Sequence, residues 1–219
     1  GRARRRGEQA ENHKSESSTS PNTGYPIRNQ HTQPPPHTTQ MNIYLITSNK
    51  DKVREAEAIL NAKIKNVDLD LDEIQELDPK RVADHKAKQA WAKVKKPVFV
   101  WDLSIYISCL NGFPGPLIKW FWSKVTLKKI CNIANHFRDH KIMAEAILTF
   151  YDGKRIQHFS GRVHGTIPNK PRGTKGWGWD AIFIPKGYKQ TYAEMRPQDV
   201  VHIRCHRVAL EKLRDFLKK

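Results

Sequence analysis

With 219 residues, 38% hydrophobic and 28% charged, the chain is long enough for one α/β domain of ordinary size or two small ones, which excludes a fibrous protein and a miniature disulfide scaffold. Thirty-nine Lys and Arg against 22 Asp and Glu give a formal charge of +17, an electrostatic preference for phosphate-rich partners. Cys109, Cys131 and Cys205 form no CxxC pair and follow no apolar leader, a pattern that points to a reducing compartment and an expected cytoplasmic location, and no apolar run approaches the ~20 residues that would cross a bilayer.

Residues 1–40 contain only four members of the hydrophobic set, Ala3, Ala10, Tyr25 and Ile27, too few to offset the entropy of ordering the segment. They read as a disordered basic and polar tail ahead of a folded domain at 41–219. Arg2, Arg4, Arg5 and Arg6 form a basic cluster, read as solvated or as a contact for nucleic acid. With six basic and three acidic residues in the tail, +14 of the charge belongs to 41–219.

From Met41 the pattern changes. Ile43–Ile46 reads as a short buried strand, followed by a polar turn and a helix with Val53, Ala56, Ile59 and Leu60 on one face. Ile64 to Leu71 alternates as a strand, with Asp68, Asp70 and Asp72 on its wet face. Asp78-Pro79 then supplies an N-cap and first-turn proline for a helix reaching about Val94. Pro97–Val100 is a second buried strand, expected to end at Trp101-Asp102. After it Gly112, Pro114, Gly115 and Pro116 interrupt the alternation before Ile118–Trp122, where the chain is expected to line a site. Residues 142–151 and 155–167 flank Asp152-Gly153 as a β-hairpin, and Val208 to Leu217 is an amphipathic helix. The order predicts an α/β fold: a mixed sheet flanked by helices, in one domain that can have two lobes.

Three patterns carry candidate chemistry. The Thr47-Ser48-Asn49-Lys50-Asp51-Lys52 turn between strand and helix offers N–H groups, hydroxyls and two ammonium groups to an anion, without a glycine-rich Walker pattern; it equally serves as an ordinary helix cap. Glu73, after the acidic alternation, and Asp102, at the end of a buried strand, are two carboxylates able to hold Mg²⁺ and orient water. Gly176-Trp177-Gly178-Trp179-Asp180 combines aromatic faces, flexible glycines and an acceptor, suited to stacking a base or to a tight turn carrying core tryptophans. His136/His140 and His202/His206 have the i, i+4 spacing of zinc ligands but no companion motif, and zinc is not expected.

Taken together, TSNKDK at 47–52, DLDEIQELD at 70–78, LNGFPGPLIKWF at 110–121, GWDAIFIPKGYKQTYAEM at 178–195 and CHRVALEKL at 205–213 resemble the inosine triphosphate pyrophosphatase family, over about 179 residues. The resemblance implies an elongated, two-lobed fold with a central mixed β-sheet and an Mg²⁺-dependent hydrolysis of non-canonical purine nucleoside triphosphates (ITP, dITP, XTP) to monophosphate and pyrophosphate. It also implies a homodimer. By position Thr47, Ser48, Asn49 and Lys52 look like the triphosphate turn, and Lys119 like a second phosphate contact. Glu73 and Asp102 look like the metal-binding or water-activating carboxylates, with Lys52 in the catalytic set. Trp177, Gly178, Trp179, Asp180, His206 and Arg207 look like the base-recognition residues.

The sequence departs from the family pattern at four places. Trp101 stands where an acid precedes Asp102, Leu103 replaces a threonine, and Cys205 replaces a serine. Val201 falls near an expected lysine, leaving Arg204 as the residue available to supply positive charge. These departures admit a second reading, a catalytically impaired member that binds nucleotides or RNA. The initial Gly and the basic tail suggest a chain cut from a longer polyprotein or made for expression. Certain plant RNA viruses carry such domains beside their polymerase, so a contact of the tail with RNA or a viral polymerase is a further expectation.

Overall fold

The structure, a computed structural model, describes residues 39–218; the expected tail and its arginine cluster lie outside the described residues. Strand β1 (Thr39–Ile46) starts two residues before the expected domain boundary, because Thr39 and Gln40 already pair with Ala62 and Lys63 of β2 (Ala62–Val67). Between them α1 (Lys50–Leu60) is opened by Asn49, whose side chain accepts from the backbone N–H groups of Asp51 and Lys52. It is closed by Asn61 in a left-handed conformation. Helix α2 (Pro79–Val94) has the expected Asp78 cap and first-turn proline.

Strand β2 ends at Val67, four residues short of the sequence expectation. Its partner β1 stops at Ile46, so nothing remains for residues 68–71 to pair with. Two side chains of α2 substitute for the missing strand. Gln89 both accepts from the N–H and donates to the C=O of Asp72, and Lys93 donates to the Asp70 carbonyl at 2.6 Å. Leu69 and Leu71 pack inward while Asp68, Asp70 and Asp72 face solvent.

Strand β3 (Val98–Ile107) runs five residues beyond its expected end, because β5 (Lys141–Tyr151) pairs with it in antiparallel register from Val98↔Tyr151 to Ile107↔Ile142. Asp102 is therefore mid-strand, with Trp101 and Asp102 on opposite faces. The hairpin from β5 to β6 (Ile156–Thr166) forms as expected. Asp152 Oδ1 accepts from the N–H groups of Lys154 and Arg155, and Gly153 takes φ +95°, with a side chain there excluded by the Trp91 ring. Short strands β4 (Pro114–Gly115) and β7 (Ile184–Pro185) complete a seven-stranded sheet of order β2-β1-β3-β5-β6-β7, with β4 pairing β3. The sheet is parallel at β2-β1-β3 and antiparallel elsewhere, the mixed arrangement expected.

Helices α3 (Ile118–Lys124), α4 (Leu127–Phe137), α5 (Pro197–Val200) and α6 (Cys205–Leu217) follow in chain order. One core joins Leu45, Phe99, Trp101 and Leu148 to α1 and to Ala209, Leu210 and Leu213 of α6. The second packs Ala83, Ala87 and Ala90 of α2 on Val98, Val100 and Ile147. Each fully buried Leu, Ile or Phe contributes roughly 1.5–3 kcal/mol. Helix α6 starts three residues before the sequence expectation, which brings His206 into its first turn.

Candidate functional site

The open ends of β1 and β2, the middle of β3 and the start of α3 enclose a cleft of about 780 Å³. Thr47, Ser48, Lys52, Glu73, Lys86, Asp102 and Lys119 line it. The turn before α1 forms one wall: Thr47 Oγ1 accepts from Asn49 N–H at 3.1 Å and Asn49 caps the helix, so the positive end of the helix dipole faces the cleft. Asn49 itself is a cap and does not line the cleft.

Opposite the turn, Lys86 of α2 reaches between the two carboxylates, with Nζ 2.5 Å from Asp102 Oδ1 and 2.9 Å from Glu73 Oε1. Lys119 approaches the other Glu73 oxygen at 3.4 Å. Burial acts to lower the Lys86 pKa, but Asp102 and Glu73 outweigh it and the ammonium is held above its ordinary value. Burial acts to raise Glu73, but Lys86 and Lys119 outweigh it and the carboxyl is held below its ordinary value. Lys52, whose Nζ donates to the Trp101 carbonyl at 2.9 Å, is lowered, because burial outweighs the attraction of Asp102.

Asp102 Oδ2 is buried with no hydrogen-bond partner. A hard oxygen without a partner, on a side chain that lines the cleft beside a second carboxylate, is a donor set that fits Mg²⁺, which takes one or two carboxylates and fills its remaining positions with phosphate and water. Among the described residues no group of three or more His, Cys, Asp and Glu side chains is placed to hold a metal, the two histidine pairs included. Within those pairs, His140 bonds the Ile167 carbonyl and His206 is buried.

The base-recognition candidates are dispersed. A second cavity of about 270 Å³, lined by Asp51, Glu55, Lys175, Trp177, Tyr192, Val201 and Arg204 among others, has Trp177 as its exposed aromatic surface, 55% accessible. Gly178 lies in a shallow depression beside it. Trp179 is a core residue, 6% accessible, set against Trp122 and Trp177. Asp180, 2% accessible, is committed to Arg204 through two hydrogen bonds (3.0 and 2.7 Å) and to the Trp177 N–H. That packing requires glycine at 176, where a Cβ would meet Asp180 Oδ2 at 2.1 Å.

His206 is buried against the Trp101 ring, its Nε2 3.0 Å from Glu55 Oε2 at an angle that makes no hydrogen bond. Arg207 lines neither cavity; it pairs with Glu211 one turn on and contacts His202. Of the expected base contacts, Trp179, Asp180, His206 and Arg207 line neither the cleft nor the second cavity, and Asp180 is engaged by Arg204 and the Trp177 N–H. Val201, which closes α5, and Arg204, which precedes α6, both face the second cavity instead.

Trp101 does not occupy an acid's place in the cleft wall alone. Its ring, 4% accessible, lies between the Lys52 ammonium, 5.2 Å from the centroid, and His206. Leu103 packs on the core, and burial pushes the Cys205 thiol up to about 12. Sequence reasoning missed Lys86 and Glu55. Lys86 had a legible signal: it falls on the apolar stripe Val82, Ala83, Ala87, Ala90 of α2, a cation where periodicity calls for a hydrophobic side chain. Glu55 had none.

Residues 43–216 match the Ham1 family. The chain is 37% identical over 185 residues to an inosine triphosphate pyrophosphatase of Schizosaccharomyces pombe, covering 83% of this chain and 97% of that protein. It is 29% identical over 160 residues to a dITP/XTP pyrophosphatase of Hyperthermus butylicus, covering 72% and 84% respectively. A HAM1 protein structure from Coxiella burnetii superposes with a TM-score of 0.72 at 25% identity, covering 80% of this chain and 98% of that one.

Proposed function

The chain belongs to the Ham1 family, and on that premise we propose that it hydrolyses non-canonical purine nucleoside triphosphates such as ITP, dITP and XTP to monophosphate and pyrophosphate. The observation that carries the reading is the first cleft. Three lysines, a helix N-terminus and two carboxylates face one another there, and one carboxylate oxygen is left unpaired. The triphosphate lies across the Thr47–Lys52 turn, with N–H groups of α1 and the ammonium groups of Lys52 and Lys119 neutralising charge as it develops on the leaving pyrophosphate. Asp102 orients the attacking water and accepts its proton, while Lys86 fixes the carboxylate through Oδ1. Glu73 and Asp102 are the residues that would hold Mg²⁺, which when bound neutralises phosphate charge as a Lewis acid.

The purine extends toward Trp177, whose exposed face offers stacking. Homodimerisation, a cytoplasmic location and a contact of the basic tail with RNA or a polymerase belong to the same proposal; light scattering, localisation imaging and salt-dependent RNA titration check them in turn. Among the described residues no helix is long and apolar enough to cross a membrane.

The test is product analysis with ITP, XTP, ATP and GTP in the presence of Mg²⁺. Pyrophosphate is expected from ITP and XTP much faster than from ATP, with Asp102→Asn reducing the rate by ~10²-fold or more, the scale for a group acting on the transferred proton. Release of orthophosphate, or equal turnover of ATP, rejects the proposal.

A further inference from the structure

The second cavity contains a cation whose hydrogen-bonding capacity is only partly used. Arg204, largely buried at the mouth of α6, is fixed on two sides: Asp180 takes one N–H from each terminal nitrogen, and the guanidinium lies over the Tyr192 ring with its carbon 5.0 Å from the centroid. Of the five N–H groups that an arginine carries, this leaves Nε–H and one on each terminal nitrogen with no hydrogen-bond acceptor among the described residues. Asp180 is in turn held by the Trp177 N–H, so the clamp and the exposed aromatic face are parts of one unit.

The same cavity also holds an acceptor. Glu55 lines it, is about one-third accessible, and is near enough to Arg204 to favour its charged form. Its neighbour His206 makes no hydrogen bond with it. A fixed donor beside a carboxylate acceptor is the complement of an edge that presents an acceptor followed by a donor. A 6-oxopurine presents that edge, with O6 accepting and N1–H donating. Adenine reverses both positions, with its 6-amino group donating and N1 accepting.

Building on the nucleotide reading above, we propose that Arg204, locked in place by Asp180 and paired with Glu55, is the specificity-determining residue that reads the O6/N1–H edge of a 6-oxopurine and rejects adenine. Arginine cannot accept a hydrogen bond, so no rearrangement of the side chain lets it serve the adenine amino group. Adenine entering in the same orientation would set its 6-amino donor against Arg204 and leave those N–H groups unpaired, and unpaired polar groups are what make such discrimination strong.

Equilibrium binding to the full chain in EDTA, which stops metal-dependent turnover, tests this with ITP, ATP and inorganic tripolyphosphate as probes. Wild type is expected to bind ITP ~10–100-fold more tightly than ATP, the range of a good paired base contact. Arg204→Met is expected to bring the ratio close to one by weakening ITP alone, with ATP and tripolyphosphate unchanged. Arg204→Lys is expected to fall between the two. Because Arg204→Met leaves the Asp180 carboxylate buried and unpaired, the double variant Asp180→Asn/Arg204→Met carries the same expectation if the single variant does not fold.

Wild type that does not distinguish ITP from ATP overturns the proposal, as does a ratio that survives in the variants or an equal loss of all three probes. The hydrolase reading fails separately: selective binding without pyrophosphate release would reject catalysis and leave the role of Arg204 standing.

Discussion

Lys86 holds two carboxylates that would otherwise repel each other across the cleft, and its removal is expected to destabilise the site. Lys86→Met should lose about 3 kcal/mol of stability, since truncating one partner of a largely buried pair leaves the other charge uncompensated. The pH dependence follows from the directions of the shifts. Glu73 is held below its ordinary 4.5, so its stabilisation is present above that value and is lost as pH falls through the depressed pKa. Lys86 is held above its ordinary 10.5, so its stabilisation is present below that value and is lost as pH rises through the raised pKa. Stability from this pair should be level between, and Lys86→Met should shrink both outer slopes; urea midpoints measured from pH 3 to 11 check it. Trp101 offers a contrast of packing against polarity. Its Nε1 is buried without a partner, so Trp101→Phe discards an unpaired donor, keeps a ring against Lys52 and His206, and should cost less than about 1.5 kcal/mol. Trp101→Ala opens a cavity and should cost about 3–5 kcal/mol by the same denaturation measurement.

At the scale of elements, the position of Glu73 depends on a segment with no strand partner of its own. Residues 68–72 are tied to α2 through the backbone of Asp70 and Asp72, and Gln89 makes two of those three bonds. Gln89→Ala should therefore release Glu73 from Lys86, lowering kcat/KM for ITP while the melting temperature moves little, because the bonds lost are exposed. Steady-state kinetics beside calorimetry separates the two effects. Both helix caps named from sequence, Asn49 and Asp78, are in place because capping is a local interaction over two or three residues. The hairpin at Asp152-Gly153 is local in the same sense. The ends of β2 and β3 differ from the sequence expectation because a strand lasts as long as its partner does. Partner length is invisible in a single alternating pattern: β1 is too short for β2, while β5 is long enough to carry β3 through Asp102.

For the molecule as a whole, the reading of 41–219 as an autonomous domain predicts that a chain beginning at Thr39 keeps the melting temperature of the full chain. One beginning at Met41 should melt lower, because it loses the pairing of Thr39 and Gln40 with Ala62 and Lys63. Calorimetry of the two truncations checks both. The sequence by itself determined the α/β class and most helices and strands. It also nominated Thr47, Ser48, Lys52, Glu73, Asp102 and Lys119, which the structure gathers in one cleft, because periodicity, capping and phosphate-binding turns are properties of residues close in the chain. The tertiary structure alone decided that Lys86 enters that cleft and that Trp101 and Asp102 part to opposite faces of a continuing strand. It also decided that Asp180 is spent on Arg204 rather than left free for a ligand, and that Arg204, not Arg207, faces the second cavity. Each of those outcomes joins residues far apart in sequence, where burial and the competition of charges for partners, rather than local pattern, set which side chain is left free to act.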